Sequence, residues 1–153
     1  NAMASDAGDV KIYYWNDVSW NQRGDTIHGN GREFLGSVVS LSSDGTIVAI
    51  AAPGYETQWS RDFQGLPRPD NQHDKKGLVR IYQWNNVSWD RLGSDIVEDS
   101  TNGIHSFGYS ISLSSDGTIL AVGAPFPGET GAGNVYVYKW NDISWIWFRR
   151  LEN

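Results

Sequence analysis

The chain of 153 residues contains no cysteine. Thiol chemistry, cysteine-ligated zinc and disulfide staples are therefore excluded, and packing and hydrogen bonds must hold the fold. Charge is sparse, at 20% of residues, and the 12 Lys and Arg never cluster beyond a pair. With 18 Asp and Glu the net charge is −6, which makes nucleic acid and anionic membrane surfaces poor partners. No apolar run approaches the ~18–20 residues of a membrane-spanning helix, and no secretory signal is recognisable. Histidine is scarce: His28, His73 and His105 fall neither at equivalent positions nor at metal-ligand spacing, so no zinc site is expected. There is no G-x-S-x-G elbow, no phosphate-binding glycine loop and no Ser/His/Asp signature. The sequence therefore offers no catalytic residue, no cofactor site and no metal ligand. Carboxylate pairs such as Glu98-Asp99 read as solvated loop residues.

Glycine is plentiful at 17, and aromatics make up 13% of the chain. That mixture suits many short strands joined by tight turns rather than disorder. A W-N-x-[VI]-S-W motif occurs three times, at Trp15–Trp20, Trp84–Trp89 and Trp140–Trp145. A second block precedes two of these. It runs from Gly36 to Pro53 and again from Gly108 to Pro125, each copy centred on Ser-Ser-Asp-Gly-Thr. In a repeat array each unit buries its apolar face against its neighbours, so function is read from the array and from departures in it.

Each full unit is expected to have four antiparallel strands. The first alternates through Val39-Leu41 or Ile111-Leu113 and ends at an Asp-Gly turn, a strong hairpin signal. The second, 46–52 and 118–124, is small and apolar, which predicts burial on both faces. The third alternates: Val79, Ile81 and Gln83 oppose Arg80, Tyr82 and Trp84, and Val135, Val137 and Lys139 oppose Tyr136, Tyr138 and Trp140. Val10, Ile12 and Tyr14 oppose Lys11, Tyr13 and Trp15 in the same way. The fourth strand starts at the second Trp of the motif and ends near Leu92-Gly93. The expected organisation is a cloning remnant and tail at 1–7, a half unit of third and fourth strands at 8–23, a full unit at 34–92 with an inserted loop at 54–76, and a full unit at 107–150.

The S-S-D-G-T-[IL]-[LV]-A-[IV]-x-A-P stretch followed by G-x-V-x-[IV]-Y-x-W-N resembles the FG-GAP class of β-propeller repeat. It also resembles WD-type repeats, in which a Ser-x-Asp-Gly hairpin precedes a strand ending in Trp. Phe107-Gly108 and Gly123-Ala124-Pro125 match the FG-GAP letters, whereas Leu35-Gly36 and Ala51-Ala52-Pro53 depart from them. The resemblance implies an all-β fold of four-stranded antiparallel propeller blades. Two and a half blades make an incomplete ring, since closed propellers typically have 4–8. It also implies a protein- or glycan-binding scaffold, and suggests an extracellular or cell-surface setting. The alternatives are a purely structural segment of a larger surface protein and, from a different class, a glycosidase- or lyase-type enzyme, whose carboxylates would be set by space and not by sequence. FG-GAP repeats can hold calcium in acidic loops, but the turns at Asp44 and Asp116 each offer one carboxylate, short of the six to eight oxygens calcium takes.

Two regions depart from the repeat and attract functional interest. The inserted loop carries Trp59, Arg61, Phe63, Arg68 and His73, and aromatics with arginine are what binding hot spots favour. At the C-terminal end Trp145, Trp147 and Phe148 form an aromatic run, and Arg149-Arg150-Leu151 replaces the Arg91-Leu92-Gly93 ending of the earlier unit. An open stack leaves apolar faces and strand edges to be covered, so self-association or continuation into neighbouring blades is expected there. The tripeptide Asn86-Val87-Ser88 is a glycosylation acceptor on paper only.

Overall fold

The computed structural model describes residues 7–30, 33–53, 77–97, 107–125 and 133–152. The fold is all-β, built of antiparallel sheets, one of them a simple four-stranded meander. Among the described residues the sheets do not close into a ring.

The first unit holds β1 (Asp9–Val10), β2 (Tyr13–Trp15), β3 (Trp20–Gln22) and β4 (Ile27–His28). β2 pairs with β3 and β1 with β4, so two long strands are each broken once. The pairing reaches His28, beyond residue 23. The second unit holds β5 (Val38–Leu41), β6 (Ile47–Ala52), β7 (Leu78–Trp84), β8 (Trp89–Arg91) and β9 (Ile96–Val97). Its fourth strand does not end at Leu92-Gly93: after a bulge it resumes as β9 and pairs with Leu78 and Val79. The third unit holds β10 (Ser110–Leu113), β11 (Ile119–Ala124), β12 (Asn134–Trp140) and β13 (Trp145–Glu152). Here the fourth strand runs on with a single irregularity opposite Val137 and Tyr138.

Local chemistry explains the hairpins. In each W-N motif the Asn side-chain oxygen accepts two backbone N–H bonds: Asn16 from Val18 and Ser19, Asn85 from Val87 and Ser88, Asn141 from Ile143 and Ser144, all between 2.8 and 3.1 Å. The next residue, Asp17, Asn86 or Asp142, takes a positive φ of 71° to 78°. Asn and Asp tolerate that conformation better than other residues with a side chain. Asn86 therefore has a conformational reason to be there, shared with its two Asp counterparts.

Two hydrophobic clusters lie between the units. One joins Val10, Ile12 and Ile27 of the first unit to Val48, Ile50 and Ala52 of β6, with Leu35 plugged between them. The other joins Ala49, Ala51, Val79 and Ile81 to Leu120 and Val122, with Phe107 as the plug. The Leu-Gly and Phe-Gly positions of the repeat thus fill corresponding places. β6 sends alternate residues into both cores, so its small side chains are buried on both faces, as its composition predicts.

β11 does not match that expectation. Leu120, Val122 and Ala124 are buried, but Ile119 is exposed and Ala121 and Gly123 are partly so. The sequences of β6 and β11 are alike; the neighbours differ, because no described sheet packs on the far side of β11. Each unit therefore has a leading face, marked by Val10/Ile12, Val79/Ile81 or Val135/Val137, and a trailing face, marked by Trp15, Trp84 or Trp140. Among the described residues, nothing packs on the leading face of the third unit or on the trailing face of the first.

Candidate interaction surface

The Ser-Ser-Asp-Gly-Thr turns are closed networks. Asp44 Oδ1 accepts from the Ser42 hydroxyl at 2.7 Å and from the Thr46 N–H at 3.0 Å, and the Thr46 hydroxyl donates to the same carboxylate. Asp116 is held identically by Ser114 and Thr118. These donors, the serine hydroxyl first, hold both carboxylates below their ordinary titration range. The turns also meet each other: Ser43 donates its N–H and its hydroxyl to the Ser115 carbonyl, each at 2.9 Å. Among the described residues no group of three or more His, Asp or Glu side chains is gathered as a metal ion would require, and no helix is long and apolar enough to cross a membrane.

The paired tryptophans form the joints between units. Trp84 and Trp89 pack at a ring-centroid distance of 5.4 Å, and the Trp89 Nε1–H donates to the Arg23 carbonyl of the preceding unit at 2.7 Å. One repeat later Trp140 and Trp145 pack at 5.6 Å, and the Trp145 Nε1–H donates to the Leu92 carbonyl at 3.0 Å. The residue after each acceptor is a glycine at positive φ, Gly24 at 72° and Gly93 at 85°. A methyl group at Gly24 would lie 2.7 Å from Trp84 Cζ3; at Gly93 it would lie 3.0 Å from Trp140 Cζ3. Both backbone conformation and contact therefore call for glycine. Arg23 reinforces the first joint. Its guanidinium donates to the Gly45 carbonyl at 3.2 Å and lies over the rings of Tyr14 and Trp84.

The third pair, Trp15 and Trp20, has the same mutual packing, with centroids 5.6 Å apart. It is 50% and 68% exposed, whereas the other two pairs are half-buried. At the opposite end Trp147 and Phe148 are exposed, together with Ile119, Val135 and Ile146. Trp145 belongs to the joint with the second unit, apart from its two aromatic neighbours. The structure therefore separates the C-terminal run into one residue used within the chain and two that face outward. Trp59, Arg61, Phe63, Arg68 and His73 of the inserted loop lie outside the described residues, as do Glu98, Asp99 and His105.

One charged site has no counterpart in the sequence reading. Arg80, on β7, is 5% exposed. Its Nη1 and Nη2 donate to Glu33 at 2.6 and 2.9 Å, and its Nε donates to Asp95 at 3.1 Å. Asp95 also pairs with Arg91. The Glu33 carboxylate raises the pKa of the guanidinium against the opposing cost of its burial. The site ties the link that precedes β5 to the bulge between β8 and β9. The aligned positions are Lys11 and Tyr136, so an arginine that breaks the repeat was the available signal. Its main partner lies 47 residues earlier, and nothing local in the sequence names it.

A comparison with protein-family models found no match, and a comparison with curated proteins found none either.

Proposed function

We propose that the chain is part of a β-propeller-type array of FG-GAP or WD-like units. In this reading it is a non-catalytic scaffold that presents loops to a protein or glycan ligand. It meets further units, or copies of itself, through its two open end faces. The observation that carries the reading is the joint made twice in the same way: an indole N–H on a carbonyl, followed by a glycine lying against the indole rings. An array that repeats its joint and leaves an aromatic face at one end and an apolar sheet face at the other is built to be continued. A non-catalytic role is supported by where the polar groups go. The described turn carboxylates accept from their own turns, and Arg80, Glu33 and Asp95 are engaged with one another.

Light scattering over a range of concentrations tests this reading. Species heavier than the 17.1 kDa chain, dissociating on dilution and weakened by Val135→Asp on the open leading face, are expected. A monodisperse 17.1 kDa protein with one cooperative melt would show that the ends need no cover, and would overturn the open-array reading for this chain.

A further inference from the structure

Resting on that reading, we propose that the indole pair Trp15–Trp20 is the docking face for the fourth strand of a further repeat unit. The strand it accepts carries a backbone carbonyl followed by a left-handed glycine. The C-terminal unit of a second copy of this chain does not supply one.

The occupant is identified by what covers the equivalent faces. Trp84–Trp89 is capped by Arg23-Gly24 and Trp140–Trp145 by Leu92-Gly93, each with an indole N–H on the carbonyl that precedes the glycine. Trp15–Trp20 has the same ring packing and the same hairpin, but among the described residues no acceptor stands at Trp20 Nε1. The face is therefore already shaped for one type of segment, and the segment is seen twice.

The other end of the chain departs at the residue that matters. The acceptor stands three residues after the second Trp, as Arg23 and Leu92 do, and the glycine four after. In the third unit these positions are Phe148 and Arg149. The backbone departs with them. In the second unit the strand leaves the ladder after Tyr82↔Arg91 and returns at Val79↔Ile96, with Gly93, Ser94 and Asp95 looped out. In the third unit Tyr138↔Trp147 is followed by Val137↔Arg149, so only Phe148 is extra. Among the described residues of this unit no loop projects to cap a neighbour's indoles, and the sequence has arginine where the joint takes glycine. A second copy could offer its apolar leading face to Trp15–Trp20, but not the cap.

The test restores the cap. Replacing Arg149-Arg150 with Gly-Ser-Asp gives the third unit the bulge of the second, and it leaves Leu151 opposite Val135 as Ile96 stands opposite Val79. A head-to-tail joint that does not close on itself grows into chains, so the weight-average mass should rise at least about twofold over wild type at equal concentration. Trp20→Ala in that background should abolish the growth. Trp20→Phe, which keeps an aromatic ring and loses the N–H, should weaken association about fivefold. The single substitution Arg149→Gly serves as a second arm that leaves chain length unchanged, and either variant with a wild-type circular dichroism spectrum decides the matter. Growth in neither variant, or growth indifferent to Trp20, overturns the proposal. If wild type is monomeric and the restored variant grows, self-association of the natural chain fails and the docking face stands. If wild type associates and neither the restored cap nor Trp20 matters, the reverse holds.

Discussion

The Trp89 indole N–H reaches the carbonyl of Arg23, 66 residues earlier in the chain, at 2.7 Å. That bond fixes one sheet against the next, and it recurs at Trp145 and Leu92. Its parts can be removed separately.

Gly93→Ala should destabilise by about 1–2 kcal/mol from its left-handed conformation alone, with a further loss from contact with the Trp140 ring. Gly93→Asn should lose less, because Asn tolerates positive φ, but not recover wild-type stability, because its Cβ meets the same ring. Urea denaturation of the two variants checks the order.

Trp145→Phe keeps most of the ring and removes the donor, so it should cost about 1 kcal/mol, the usual net value of one hydrogen bond. Trp20→Phe in the uncapped pair should be close to neutral in the monomer. Thermal melts at low concentration compare them. Equal losses at both positions would contradict the assignment of the indole bond to the joint.

Glu33→Ala should be the most damaging of these surface-to-interior changes, at about 3 kcal/mol, since it leaves a buried guanidinium with part of its charge uncompensated. Arg80→Met fills similar volume without a charge, and Arg80→Met with Glu33→Ala should recover part of the loss. A double-mutant cycle measures the coupling.

Asp44 and Asp116 are held below their ordinary value of 3.8 by turn hydroxyls and N–H groups. A depressed folded-state pKa means the unfolded chain takes up protons first as pH falls. The contribution of these turns is therefore fully present above about pH 4 and fades as pH drops through the folded values. Asp44→Asn with Asp116→Asn should lower the melting temperature at neutral pH and flatten its fall in acid. An unchanged acid slope would show that the turns do not carry it.

The sequence made the hairpins legible, because an Asn cap with a left-handed Asp or Asn, or an Asp-Gly turn, is chemistry confined to a few neighbouring residues. It also made the alternation of β7 and β12 legible, because burial on a strand has period two. What it did not reveal was long-range. The acceptors of the indole bonds are backbone carbonyls, which carry no residue signature; only the glycine after them, present twice and replaced at Arg149, marks the place. The Arg80–Glu33 pair spans separate elements. The double burial expected for 118–124 was drawn from composition, and composition cannot report that β11 has a neighbour on one side only. For the C-terminal run, residue type grouped Trp145 with Trp147 and Phe148; what separates them is the half-buried joint that Trp145 makes with the Leu92 carbonyl, while Trp147 and Phe148 stay exposed.

The placement of β6 between two cores has a kinetic consequence. β6 lies between two packed neighbouring sheets, while the β2–β3 hairpin is exposed at nearly every residue and, among the described residues, the third unit is covered on one side only. Opening then proceeds inward from either end, each departing sheet exposing a single core, and β6 amides exchange with solvent only when both flanks have left. The middle sheet serves as the slow step of an otherwise two-ended unzipping, which native-state hydrogen exchange reads as one narrow band of long-lived protons.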